Sequence, residues 1–242
     1  HDDVMDEATI RRNVDSVNAR FGNVVAIVAG DYLMARSAAI AADLGTPVAA
    51  LLARTLASLT RGQVSEVRTA FDVRRTVDDY LEAIGGKTAT LMASACKVGA
   101  ITGRRPDDVA EALSAFGHAF GMVFQIRDDL LDVVGVDGQL GKPCGQDLGE
   151  GIYTLPVLAA LEDPDVGGEL RALLGQPLDE PEREKARVLV AASSGVETAL
   201  AAGERWAAVA TEALDRIPDA ALREGFGTLV TSLLAEVPLP QR

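Results

Sequence analysis

Apolar residues recur along the chain at intervals of three and four, and nowhere alternate with period two for long enough to predict a strand. The strongest pattern runs from Pro106, read as a first-turn proline, to about Val134. Within it Val109, Leu113, Phe116, Phe120 and Phe124 follow one another at spacings of four, three, four and four, and predict an inward stripe. A second helix is expected from Thr76, with Asp79 completing an acidic capping pattern and Tyr80, Ile84 and Leu91 facing inward. Ser16 is expected to cap a helix holding Val17, Phe21, Val24, Val28 and Leu33, and another spans Pro47 to about Arg68. Gly- and Pro-containing stretches predict loops at 135–151, 163–168 and 175–181. Shorter amphipathic helices are expected around 154–162, 182–194, 196–216 and 219–236. The fold class is therefore all-α, in one domain over residues 1–242.

Composition supports helices: Ala and Leu abound, aromatics are 4%, and 48% of residues are hydrophobic. The net charge of −13, with no Lys/Arg block, argues against a nucleic-acid partner. It also means that any diphosphate substrate needs local cations. Cys96 and Cys144 are too few for a disulfide framework and point to a reducing, cytoplasmic setting. No run approaches about 18 consecutive apolar residues, so no transmembrane span is expected. The chain opens inside an acidic cluster, with no preceding cap, and reads as truncated at its N-terminus.

Two acidic clusters share the spacing Asp-Asp-x-x-Asp: Asp2, Asp3 and Asp6, and Asp128, Asp129 and Asp132. On a helix, positions four apart differ by only about 40°, so Asp2 and Asp6 share a face, as do Asp128 and Asp132. Carboxylates on adjacent turns suit Mg²⁺, which takes one or two of them together with substrate phosphate oxygens. Asp128 lies one turn beyond Phe124 and so extends the apolar stripe, where an unpaired carboxylate is costly. A solvated charged face is the plain alternative, and the second cluster of identical spacing weighs against it.

These residues resemble the trans-prenyltransferases, the polyprenyl diphosphate synthases. The first aspartate cluster is followed by Arg11-Arg12. Then come Gly22-Asn23, Gly30-Asp31-Tyr32-Leu33, Gly62-Gln63 and Gly86-Lys87-Thr88. Phe124-Gln125 leads into the second cluster, and Gly141-Lys142-Pro143, Asp147-Leu148 and Thr154-Leu155-Pro156 complete the order. The resemblance covers essentially the whole chain. It implies an isoprenoid-synthase helical bundle around an apolar cavity, here without its N-terminal helices.

It also implies several Mg²⁺ ions bridged by substrate diphosphate, with Asp2, Asp6 and Asp128 as chief ligands and Asp3, Asp129 and Asp132 as secondary ones. Arg11 and Arg12, with planar forks suited to phosphate, become diphosphate ligands. As a bare pair they read as solvated residues near a helix end. Lys87, three residues after Ile84, and Thr88 are read as a phosphate grip, against a snorkelling lysine. Gly85-Gly86 supports the grip, because two glycines would cost a plain helix roughly 2 kcal/mol without some purpose. Lys142 is a diphosphate-side contact by resemblance and an ordinary loop lysine otherwise. Gln125 is either the family's polar residue near the reacting allylic system or a buried amide bonded to backbone. His1, His118 and Trp206 are read as packing or surface residues, and Gly117 and Gly121 as points of close helix contact.

The implied reaction ionises an allylic diphosphate and joins it to isopentenyl diphosphate, so no nucleophile is needed. The implied assembly is a homodimer, with peripheral membrane contact for long products. Two departures stand out: a Gly-Lys-x-x-Arg segment that precedes the first cluster in the family is absent, and Ile152 stands where many relatives carry lysine. Long-chain relatives often have a hydrophobic residue there. A non-catalytic partner subunit and a class I terpene cyclase are the competing readings. The first would be marked by degenerate aspartate clusters, and the second generally lacks the duplicated cluster with its Arg pair and Gly-Lys-Thr.

Overall fold

The computed structural model describes residues 1–11, 14–135 and 144–238, and among these the chain is almost entirely helical. It divides into two compact units, His1–Ala53 and Arg54–Arg242.

The first unit opens with a single turn, α1 (Asp2–Met5), followed by two-residue antiparallel strands that sequence periodicity could not register. These are β1 (Ile10–Arg11) and β2 (Val14–Asp15), paired Ile10 to Asp15 and Arg11 to Val14. Ser16 is buried; its Oγ donates to the Ala8 carbonyl at 2.6 Å and accepts from Ala19 N, capping α2 (Val17–Phe21) as expected. The helix does not continue. Gly22, at φ 84°, adopts a backbone open chiefly to glycine, and α3 (Asn23–Asp43) begins beyond it. The apolar residues Val17, Phe21, Val24, Val28 and Leu33, expected on one helix, are 45–76% exposed, while α3 buries Ala26 and Ala41. An all-round apolar helix gives periodicity no face to choose.

Helix α4 (Thr46–Arg68) runs across the boundary near Ala53. In the second unit, Thr76 and Asp79 form a reciprocal capping box that starts α5 (Val77–Ile84). A π-helical turn over Gly85–Ala89 comes next, and then α6 (Thr90–Thr102). The extra residue of such a turn rotates the downstream helix by about 100°. That rotation corrects one expectation: Tyr80 and Ile84 are buried, but Leu91 is 50% exposed and Ala89 has taken the inward place. The glycines are needed for close approach. A Cβ on Gly62 of α4 would lie 2.7 Å from the Lys87 backbone nitrogen, and one on Gly86 would lie 3.1 Å from the Ser58 carbonyl oxygen.

The central element is α7 (Asp107–Val134), which packs most extensively on α6 and α12 (Gly195–Leu214). Pro106 serves as its N-cap and not as its first helical residue. Val109, Leu113 and Phe116 are buried, and Phe120 and Phe124 half-buried. Phe116 contacts Phe120 and also Phe226 of α13 (Ala220–Ala235). At Gly117 and Gly121 the α6 backbone comes so close that a Cβ would meet the Met92 carbonyl oxygen or Ala89 Cα at 2.6 Å. His118 and Trp206 pack ring to ring, 5.9 Å apart.

The remaining helices are α8 (Gln146–Gly149), α9 (Leu155–Leu161), α10 (Gly167–Leu173) and α11 (Glu180–Ala192). Of these α10 was not expected, nor was α8, which falls inside the stretch 135–151 expected to be a loop. Helix α11 starts earlier than its pattern suggested, because Asp179 and Glu182 form a second capping box ahead of the apolar residues. Helices α3 and α7 are long and apolar enough to cross a membrane by length and composition. In α7 that apolarity is used in the core, with 61% of its most apolar window buried, against 11% for α3.

Two outcomes test this packing. Gly121→Val should destabilise the protein by about 1–3 kcal/mol in urea unfolding, because neither α6 nor α7 can yield at Ala89 without losing contact elsewhere. The Asp163 carboxylate accepts from Ser194 N, Ser194 Oγ and Asp165 N, which holds its pKa at about 2 against an ordinary 3.8. Its contribution is complete above about pH 4 and disappears as pH falls toward about 2. The stability gap between wild type and Asp163→Ala should therefore stay constant from pH 7 to about 4 and shrink only below that.

Candidate active site

The first aspartate cluster sits on α1 and its cap. Arg11, brought alongside by the β1 strand, donates through Nε to Asp3 Oδ1 at 2.7 Å. Asn18 Nδ2 donates to the Asp3 and Ala8 carbonyls at 3.1 and 3.0 Å, tying α2 to the loop that carries the acids. The His1 ring lies against the Ile27 carbonyl and 3.3 Å from Asp31, so it packs on α3. An open cleft of about 660 Å³ is lined by His1, Asp2, Asp3, Arg11, Val14 and Asp15, among others. Asp2 and Asp6 are exposed and Asp3 is half-buried. Arg12 lies outside the described residues.

The second cluster occupies the last two turns of α7. Its three acids face different surroundings. Asp128 keeps 38% of its side chain accessible, with Arg127 Nη1 donating to it at 2.7 Å; Arg127 also pairs with Glu236. Asp132 is buried and accepts from Asp147 N at 3.3 Å, while its carbonyl accepts from Gly145 N. Asp129 is 3% exposed. Tyr80 Oη donates to its Oδ2 at 2.5 Å and Gln125 Nε2 to its Oδ1 at 2.8 Å. Burial pushes the Asp129 pKa up to about 7 against the opposing pull of those two donors, and the charges of Asp128 and Asp132 add to the rise. Burial likewise raises the Tyr80 phenol well above its ordinary value.

The polar chain continues inward. Thr88 Oγ1 donates to Gln125 Oε1 at 2.8 Å, so the amide bonds side chains and not backbone. The π-helical turn presents Thr88 and Lys87 together, and Lys87 Nζ donates to Glu66 Oε1 at 2.5 Å. Thr88, Gln125, Asp129 and Lys87 therefore belong to one neighbourhood of the second unit. Arg75, 6% exposed, lies over the Tyr80 ring and donates to the Tyr153 carbonyl. Lys142 falls outside the described residues. Sequence reasoning missed Glu66, Arg75 and the polar role of Tyr80. The inward stripe marked Tyr80 as buried, but nothing local marks a partner 49 residues away.

Among the described residues no three His, Cys, Asp or Glu side chains converge to hold a metal alone. The donors present still fit a hard cation that takes few carboxylates and completes its shell with water and phosphate oxygens. Asp128 is accessible for such a contact, whereas both oxygens of Asp129 are occupied.

Residues 1–192 match the Polyprenyl synthetase family. The chain is 39% identical over 233 residues to a nonaprenyl diphosphate synthase of Mycobacterium tuberculosis, covering 95% of this chain and 69% of that protein. It is 38% identical to heptaprenyl diphosphate synthase component 2 of Geobacillus stearothermophilus, covering 90% and 68%. A polyprenyl synthase from Caulobacter crescentus, solved with calcium and isoprenyl diphosphate, superposes with a TM-score of 0.91 at 29% identity, over 98% of this chain and 74% of that one. With the ordered motifs, the helical bundle and these matches in agreement, the chain belongs to the polyprenyl synthetase family and is a prenyltransferase of the polyprenyl diphosphate synthase kind.

Proposed function

We propose that this enzyme elongates an allylic diphosphate with isopentenyl diphosphate in a Mg²⁺-dependent reaction, yielding a trans-polyprenyl diphosphate and free diphosphate. The observation that carries the reading is an accessible carboxylate, Asp128, next in the chain to Asp129, on which the Gln125–Thr88 hydrogen-bond chain ends. The C–O bond of the allylic diphosphate breaks and diphosphate leaves with the electron pair. A C–C bond then forms to the isopentenyl alkene, and a proton is lost, with the released diphosphate as base.

Bound magnesium would neutralise charge growing on the leaving diphosphate. Asp128 would hold it in the second unit, with Asp132 supporting, and Asp2 and Asp6 would do so in the first. Lys87 and Arg11 now pair with Glu66 and Asp3, and each would move a charged donor from carboxylate to phosphate on binding. Such local cations are needed on a chain of net charge −13. Apolar surroundings keep water from the allylic cation. Long products are favoured by Ile152 and by the likeness to nonaprenyl and heptaprenyl synthases.

A second reading is supported by the likeness to a protein named component 2: the chain works with a different partner subunit. In that case the full-length protein alone would be inactive, and co-expression with a partner would restore product.

The full-length protein should condense labelled isopentenyl diphosphate onto a geranyl, farnesyl or geranylgeranyl primer with Mg²⁺ and not after chelation. Radiochromatography showing no product with any primer, alone or with a partner subunit, would remove the catalytic reading. Asp128→Ala should lower turnover by at least about 100-fold, the scale for losing one element of transition-state charge stabilisation, with unchanged far-UV circular dichroism. Loss of helicity would make Asp128 a structural residue instead.

A further inference from the structure

The hydrogen-bond chain behind Asp128 has its direction fixed from one end. Gln125 Nε2 donates to Asp129 Oδ1 at 2.8 Å, so the amide turns its NH₂ toward Asp129 and its carbonyl oxygen away. That oxygen faces Thr88, whose single hydroxyl proton is thereby committed, leaving the Thr88 lone pairs to point elsewhere. The fixed end needs an anchor, because a carboxylate held on one oxygen can rotate. Tyr80 supplies it. Its hydroxyl, on a residue only 1% exposed, meets Asp129 Oδ2 at 2.5 Å. Tyr80 is itself held in place: α5 is started by the Thr76–Asp79 capping box, and the Arg75 guanidinium lies 5.7 Å from the centre of its ring.

We propose that Tyr80 is a positioning residue: its hydroxyl locks Asp129, which sets the Gln125 amide and, through it, the direction in which Thr88 presents its oxygen. The inference rests on the proposed function and on the family resemblance that sets Gln125 near the reacting allylic system and Thr88 at the diphosphate. Tyr80 acts on Gln125 and Thr88 only through Asp129. Asp129 accepts one side-chain donor on each oxygen and so joins the two ends of this chain.

The test uses the full-length protein and Tyr80→Phe, which removes one oxygen and keeps the ring. The kcat should fall about 10- to 100-fold, while the KM values for both diphosphates and the Mg²⁺ concentration for half-maximal rate stay within about twofold, since Lys87, Arg11 and the accessible aspartates, which would carry the diphosphate and metal binding, are untouched. Combined with Thr88→Val, the double variant should be no slower than the slower single variant, because both changes break one chain. A second readout needs no turnover. In ¹⁵N-labelled wild type the Gln125 side-chain amide protons should exchange slowly with solvent, and in Tyr80→Phe they should exchange at least about tenfold faster. The proposal is overturned by an unchanged kcat, by multiplicative losses in the double variant, or by a Gln125 amide that is unprotected in wild type. This last result decides the matter even if Tyr80→Phe fails to fold. A wild-type protein that makes no product would defeat the prenyl-transfer reading, and the amide measurement would still decide the hydrogen-bond chain.

Discussion

A carboxylate inside an apolar helix bundle must be met by donors or it will not stay ionised, and the last two turns of α7 carry three acids, two of them buried. Each is met differently: Asp128 by an arginine at the surface, Asp132 by backbone N–H, and Asp129 by a phenol and an amide. Much of the second unit's polar layout derives from these needs. Helix α5 must bring a tyrosine to α7, the π-helical turn must bring a threonine, and Gln125 must point inward to join them.

The π-helical turn is the geometric device that lets this happen. A regular helix through residues 80–91 would carry Leu91 inward and leave Thr88 in a different direction. One extra residue re-aims the side chains of α6, and Gly86 and Gly62 let α4 approach the turn backbone to backbone. The same approach brings Glu66 within reach of Lys87. A glycine pair that would weaken an ordinary helix is thus the place where two helices come close together.

Charge is handled locally in both units. The chain is strongly acidic, yet each cationic residue of interest is paired with a carboxylate: Arg11 with Asp3, Lys87 with Glu66 and Arg127 with Asp128. Exposed pairs of this kind contribute little to stability. They do hold donors beside the acids.

The helical class, the extents of α4 and α7, the Thr76 cap, the Gly117/Gly121 contact and the matching aspartate clusters were all legible in the linear chain. These features depend on residues within a few turns of one another, and helical spacing reports them directly. Family membership was legible for a related reason, since the ordered motifs are short local words. Tertiary structure alone decided which side of α3 is buried, that Leu91 turns outward, and that α2 stops at Gly22. It also decided the partners: Tyr80 for Asp129 and Glu66 for Lys87. Periodicity can say that a side chain points inward; only the packing of one helix on another determines what it meets there.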